Sequence, residues 1–328
     1  MRIAVTGSIA TDHLMTFPGR FADSFVTDKL HSVSLSFLVD DLHVRRGGVA
    51  ANIAFGLGCL GLRPVLVGAV GPDFADYRSW LERHGVDCDS VRVSTVAQTA
   101  RFVCTTDVDH NQIASFYPGA MTEDRELELW PVAERVGDLD LVLIGATDPA
   151  AMTRHTQECR QRGYRFVADP SQQLARMDGP EIRLLVEGAA YLFTNEYEAA
   201  LTEQKTGWTS QQILDRVDVR VTTLGKKGAI VERSGQPSVQ VACPREEGKV
   251  DPTGVGDAFR AGFLAGIGWG LSDERCAQLG AMLATFVIET VGTQEYDLGH
   301  GQFLDRFTEA YGAEAAGDIT SHLRLIPA

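Results

Sequence analysis

Asp140-Leu141-Val142-Leu143-Ile144 is apolar after its first residue, and a helix-like stretch at 150–162 follows it. The pattern recurs. Residues 166–169 (F-V-A-D), 191–194 (Y-L-F-T) and 219–223 (V-R-V-T-T) are further short runs, and 195–205 reads as a helix between two of them. Residues 3–7 and 64–68 repeat the run near the start, around a helix predicted at 49–60 with Ile53, Leu57 and Leu60 on one face. Short apolar strands alternating with helices predict an α/β fold, a mostly parallel sheet covered on both sides. After residue 250 the chain turns helical. Phe259, Phe263 and Ile267 give one buried face over 257–268, and two further helices are predicted at 273–290 and 301–316.

Two regions break this rhythm. S-V-S-L-S-F-L-V at 32–39 lies in one; R-F-V-C-T-T-D at 101–107 and N-Q-I-A-S-F-Y at 111–117 lie in the other, with a hairpin turn expected at 109–111. They predict one small sheet built from excursions 14–46 and 91–118, leaving 1–13, 47–90 and 119–328 as the large domain. The small sheet would have an apolar face needing cover, from a ligand or from a second subunit.

The chain has 328 residues, 44% of them hydrophobic, and a formal net charge of −14. That acidity, without a dense basic stripe, argues against nucleic acid and against an anionic membrane surface as partners. The opening M-R-I-A-V-T-G-S-I-A reads as a buried strand ending at Gly7 rather than a leader. The six cysteines at 59, 88, 104, 159, 243 and 276 form no C-x-x-C pair, which suggests reduced thiols in a cytoplasm. The eight histidines show no ligand spacing.

The sharpest motif is Asp251-Pro252-Thr253-Gly254-Val255-Gly256-Asp257, closing directly onto a helix. Two glycines around Val255 let the backbone turn tightly and present N–H groups, and the helix adds its positive end. Residues 254–257 are thereby an expected anion hole for a migrating phosphoryl group. Asp257 would accept the proton of the attacking hydroxyl. A carboxylate at a helix start is expected to be less basic than usual, so positioning rather than base strength would be its contribution. The plain alternative is an N-cap and a turn. Neither G-x-G-x-x-G nor G-K-[ST] occurs here, so this is neither a dinucleotide fingerprint nor a Walker loop.

Asn195-x-x-Glu198 follows a strand end, where ligands gather. Glu198 would hold a magnesium-bound water and Asn195 a phosphate oxygen; the alternative is an ordinary helix cap. Thr223-x-Gly225-x-x-Gly228 is similar to a nucleotide-contacting loop, with Lys226 and Lys227 as phosphate partners or as solvated surface lysines. At the other end, Ser8 and Asp12 follow the first strand, and Asp12 suits a vicinal diol. Gly48 would let the backbone approach a sugar, and Asn52 would donate to and accept from its hydroxyls. Phe102 and Phe116 would line a base, or form the small sheet's core or a subunit contact. Gln172 and Gln173 would read a base edge or belong to a polar loop.

D-P-T-G-V-G-D-A-F at 251–259 resembles the C-terminal signature of the ribokinase-like (PfkB-type) carbohydrate kinases, and R-G-G-V-A-A-N at 46–52 their N-terminal one. The resemblance covers essentially the whole chain. It implies a Rossmann-like sheet domain with a small β lid. Asp257 would be the base, Asn195 and Glu198 would serve magnesium and phosphate, and Asp12, supported by Gly48 and Asn52, would bind ribose. Within the family the chain resembles the actinobacterial adenosine kinases, through T-G-S-I-A-T-D-H-L at 6–14, Q-I-A-S-F-Y-P-G-A-M at 112–121, D-P-S-Q-Q-L at 169–174 and Y-L-F-T-N-E-Y-E at 191–198. That likeness implies transfer from Mg-ATP to the 5'-hydroxyl of adenosine, base contacts from Phe102, Phe116 and Gln173, and a homodimer through the lid. It also implies potassium held by backbone carbonyls near Asp251. Ribokinase, fructokinase and inosine-guanosine kinase are the alternatives within the family; outside it they are a non-catalytic nucleoside-sensing or structural protein on a kinase fold and, against the absent fingerprint, a nicotinamide oxidoreductase.

Overall fold

The computed structural model describes residues 1–25, 31–32 and 34–323. Among the described residues thirteen strands run in chain order: β1 (Ile3–Thr6), β2 (Ala10–Thr16), β3 (Asp41–Gly47), β4 (Val65–Val70), β5 (Val91–Val93), β6 (Ala100–Thr106), β7 (Gln112–Tyr117), β8 (Leu141–Ile144), β9 (Phe166–Ala168), β10 (Tyr191–Asn195), β11 (Val219–Thr223), β12 (Ala229–Glu232) and β13 (Val239–Val241). Nine form one sheet in the order β13-β12-β11-β10-β9-β8-β1-β4-β5. Its pairings are parallel except at β12 and β13. The strands carry Val, Leu, Ile and Phe on both faces because helices cover both. β1, β4, β8 and β9 are buried along their whole length. The chain direction of the sheet order reverses at β1, between β8 and β4. In open α/β sheets that reversal leaves a crevice at the carboxyl ends of the strands.

One face is closed by the helices Val49–Cys59, Val255–Gly268 and Asp273–Ile288, whose Phe55, Phe263, Leu279 and Leu283 join the larger apolar core. Phe263 meets Tyr191 and Phe193 edge-on, which fixes the Val255–Gly268 helix against β10. A second core beneath the opposite face contains Val142, Met152, Phe166 and Leu192.

The small sheet has the order β3-β2-β6-β7. Its register pairs Asp12 with Phe102 and Phe102 with Phe116, so these three side chains share one face. Three expectations change here. Residues 34–39 carry no strand, and Val33 lies outside the described residues. Phe37 instead packs against Phe17 and Phe21, and β3 takes the edge beside β2. The boundaries also shift, because β2 enters the small sheet at Ala10 while Val91–Val93 pairs with β4 in the large one. The helix expected from 257 begins at Val255, and that expected at 301–316 runs His300–Leu323 with a break at Gly312. Among the described residues no helix is long and apolar enough to cross a membrane, and all six cysteines are free.

Candidate active site

The loop carrying Asp251 and Gly254 is built from short-range hydrogen bonds. The Asp251 carboxylate accepts from the Thr253 N–H at 2.9 Å and from the Gly292 N–H at 3.0 Å, tying the turn to the chain after the Asp273–Ile288 helix. Partial burial would raise this carboxyl, but those two N–H groups hold it below the usual range. Gly254 adopts φ +77° as the residue preceding the helix, and a Cβ there would lie 2.8 Å from Thr293. Conformation and space both require glycine. Val255, Gly256 and Asp257 then form the first turn, whose amide groups lack partners within the helix.

This turn divides two cavities. The smaller, about 330 Å³, is lined by Ser8, Asp12, Gly48, Asn52, Phe102, Phe116, Gln172, Gln173, Gly254 and Asp257. The larger, about 710 Å³, is lined by Asn195, Glu198, Thr223, Gly225, Gly228, Val255, Gly256 and Asp257, together with Lys226 and Arg260. Asp257 borders both. Asp251 braces the loop behind the turn and Lys227 lines neither chamber; the other residues singled out in the sequence border one chamber or the other.

The electrostatics differ from expectation in one respect. Asp257 keeps a partly accessible edge on the cavities, yet burial pushes it up to about 6, against the Asn52 hydrogen bond and the Arg260 charge. Burial therefore outweighs the Asn52 hydrogen bond and the Arg260 charge, and Asp257 is more basic than an ordinary carboxylate. Asp12 is likewise raised to about 6, by burial first and then by the charges of Asp251 and Glu295.

Several residues have structural duties alongside their place in the cavity walls. Ser8 caps the Val49–Cys59 helix, its hydroxyl accepting from the Val49 N–H at 3.0 Å. Gly48, at φ +96°, approaches the protein's own backbone: a Cβ there would stand 2.5 Å from the Ser8 carbonyl oxygen. Asn195 and Glu198 form a reciprocal capping box at 2.8 Å each way, so the plain helix-cap alternative holds while both also line the larger cavity. Asn52 does not have a free acceptor for a sugar. Its Nδ2 donates to Asp257 at 2.8 Å, and its Oδ1 accepts from Gln294 Nε2 and Thr293 Oγ1, both at 2.9 Å.

Sequence reasoning missed Arg260, Asp169, Tyr77 and Gln294. Arg260 is buried with Nε 2.5 Å from Asp169 Oδ2 and Nη2 3.9 Å from Glu198, and its Nη1 donates to the Gly256 carbonyl at 3.0 Å. The contact with Asp169 is a charge contact rather than an aligned hydrogen bond. The i, i+3 spacing from Asp257 to Arg260 is a signal that could have found it. Asp169 lies just past a strand end, the same kind of position that drew attention to Asn195.

Comparison with known proteins gives the family. The family model described as pfkB family carbohydrate kinase matches residues 8–298. A nucleoside kinase of Methanothermobacter thermautotrophicus is 32% identical over 290 residues, covering 88% of this chain and 92% of that one. The structure of Burkholderia thailandensis nucleoside kinase in complex with inosine superimposes with a TM-score of 0.83 at 34% identity, covering 95% of this chain and 99% of that one. The same enzyme in complex with ADP-inosine gives 0.80 at 35% identity, over 95% and 97%. A match spanning both signature regions, on a ribokinase-like fold with its carboxylate between two chambers, places the chain in the pfkB family of carbohydrate kinases, phosphotransferases that act on an alcohol group.

Proposed function

We propose that the protein is a nucleoside kinase that transfers the γ-phosphoryl group of Mg-ATP to the 5'-hydroxyl of adenosine, with Asp257 taking the hydroxyl proton. The observation that carries this is the position of Asp257, which alone among the described residues lines both cavities. A donor phosphate in the larger chamber and an acceptor hydroxyl in the smaller one meet at that carboxylate and at the first-turn amides of 254–257. Asp12, on the small-sheet face turned to the acceptor chamber, receives the ribose diol, and Phe102 and Phe116 flank the base. The small sheet acts as a lid that excludes water from the transferring group.

Magnesium supplies charge neutralisation on the phosphates. Among the described residues no three His, Cys, Asp or Glu side chains are grouped to hold an ion by themselves. In this proposal the ion would come with the nucleotide, and Glu198 would hold one of its waters. Potassium beside the Asp251 loop belongs to the same proposal, as does a cytoplasmic setting for the six free thiols.

Adenosine is favoured by Gln173. Its Oε1 is buried without a partner in the chamber's wall, an acceptor suited to an exocyclic amino group. Inosine is the second candidate, because the relative's structure contains it and a rotated amide presents N–H instead. Product formation from Mg-ATP with adenosine, inosine, guanosine, ribose and fructose, with and without potassium, separates them. We expect kcat/KM for adenosine to exceed that for inosine by about tenfold or more. Preference for free ribose or fructose would remove the base contacts of Phe102, Phe116 and Gln173.

We also assign a second copy of the chain to the outer face of the small sheet. Leu42, Val44, Ile113 and Tyr117, on the face opposite Phe102, are each more than 40% exposed. Light scattering is expected to give twice the chain mass, and a charged residue at Val44 to give a monomer. A wild-type monomer at micromolar concentration would reject this.

A further inference from the structure

Resting on Asp257 as the base, we propose that Tyr77 and Gln294 are positioning residues that fix which end of the Asn52 amide faces Asp257. The argument is one of hydrogen-bond polarity. Tyr77 is buried, and its hydroxyl donates its single hydrogen to the Gly47 carbonyl at 2.9 Å. A carbonyl only accepts, so the Tyr77 oxygen must itself accept from its other neighbour. That neighbour, 2.6 Å away, is Gln294 Nε2. Gln294 is fully buried, and the same Nε2 donates to Asn52 Oδ1 at 2.9 Å. With its oxygen occupied, Asn52 presents Nδ2 to Asp257 Oδ2 at 2.8 Å. The direction of every donor from Gly47 to Asp257 is thus set by one backbone carbonyl.

Thr293 does not set this polarity. Its hydroxyl carries one hydrogen between two acceptors, the Arg46 carbonyl and Asn52 Oδ1, and can serve either, whereas Gln294 Nε2 can only donate. Without Gln294 the Asn52 amide is free to turn over. Its oxygen would then face the carboxylate and disfavour the ionised form that accepts the proton. Gly47 is the last residue of β3, where the small sheet joins the Val49–Cys59 helix. The chain therefore also links the base of the lid to the reacting carboxylate.

Three variants test this: Tyr77→Phe, Gln294→Met and the isosteric Gln294→Glu, whose carboxylate would draw Asn52 Nδ2 to itself. The readouts are kcat, acceptor KM, the acid limb of the kcat–pH profile and the melting temperature. The other charged or titratable groups around Asp257, namely Arg260, Asp169, Asp12 and Tyr296, are unchanged in all three. We expect Tyr77→Phe to lower kcat about tenfold with acceptor KM within about threefold of wild type, and to move the acid limb to higher pH. Gln294→Glu should lose more than Gln294→Met. Variants that keep kcat within about twofold, or that lose kcat with an unmoved acid limb, would overturn the proposal. If Asp257→Asn retains turnover, the kinase assignment itself fails; a dead Asp257→Asn beside an indifferent Tyr77→Phe rejects only the positioning chain.

Discussion

Asp257→Asn is expected to lower kcat by about a thousandfold or more while leaving ADP affinity within about threefold. The amide retains the size and the neighbour contacts of the carboxylate but cannot take a proton from the attacking hydroxyl. The same substitution is expected to raise the melting temperature near neutral pH. Burial holds the Asp257 carboxyl at about 6 in the folded protein, against roughly 4 in an unfolded chain. A raised carboxyl binds its proton more tightly when folded, so the native state is penalised as pH rises. The penalty is absent well below pH 4, grows between 4 and 6, and is complete above 6. It amounts to at most about 3 kcal/mol, reduced by the solvent that reaches the open edge. The stabilisation by Asp257→Asn should therefore be largest above pH 6 and vanish towards pH 4. In the wild type, kcat should fall as pH drops through about 6. Asp12 titrates in the same range, but Asp12→Asn should act mainly on acceptor KM. A folded Asp257→Asn protein that keeps more than about a tenth of wild-type kcat would end the assignment of the base.

The parts of the site that were legible in the sequence are those in which function and local backbone geometry coincide. Asp251 to Asp257 could be recognised because a tight turn before a helix needs its glycines close together in the chain, with Asp257 following in the first turn rather than capping it. The cavity walls followed from strand ends, since the end of β1 leads into the smaller chamber and those of β10 and β11 into the larger. Asn195 and Glu198 form the capping box of the plain reading and also line the larger cavity, where their phosphate and magnesium roles belong to the proposal. What remained hidden depends on contacts without local pattern. Gln294 and Tyr77 are separated by 217 positions, and Gln294 and Asn52 by 242. The strand expected at 32–39 failed for a related reason. Its alternating Ser and Leu suited a half-buried strand, but Asp41–Gly47 has the matching register with β2, and Phe37 is taken up by an aromatic cluster. The basicity of Asp257 was misjudged because the sequence shows the helix start but not the depth of packing around it.

Arg260→Met should be the most destabilising single change in the site. Arg260 is 7% exposed in its side chain, Asp169 is 0% exposed, and the two stand 2.5 Å apart. Burial raises the Asp169 carboxyl, and only the Arg260 charge and contact oppose it. Removing the arginine leaves a buried carboxylate without compensation, which costs about 3–5 kcal/mol and lowers the melting temperature by about 10 °C. Asp169 would then rise further and fold more readily when protonated, so the loss should be smaller at pH 5 than at pH 8. Arg260 also lowers Asp257 and Glu198 by its charge, so the acid limb of kcat should move to higher pH in the variant that remains folded. The reverse substitution is not equivalent. Asp169→Asn leaves Arg260 beside Glu198 and Asp257, so its positive charge stays balanced and the destabilisation should be milder. The double variant, which buries neither charge, should recover part of the stability lost in Arg260→Met. Thermal melts of the two single variants and the double variant give the coupling directly. A wild-type melting temperature for Arg260→Met, or equal losses for the two single variants, would show that the three carboxylates do not share this arginine as their common counter-charge.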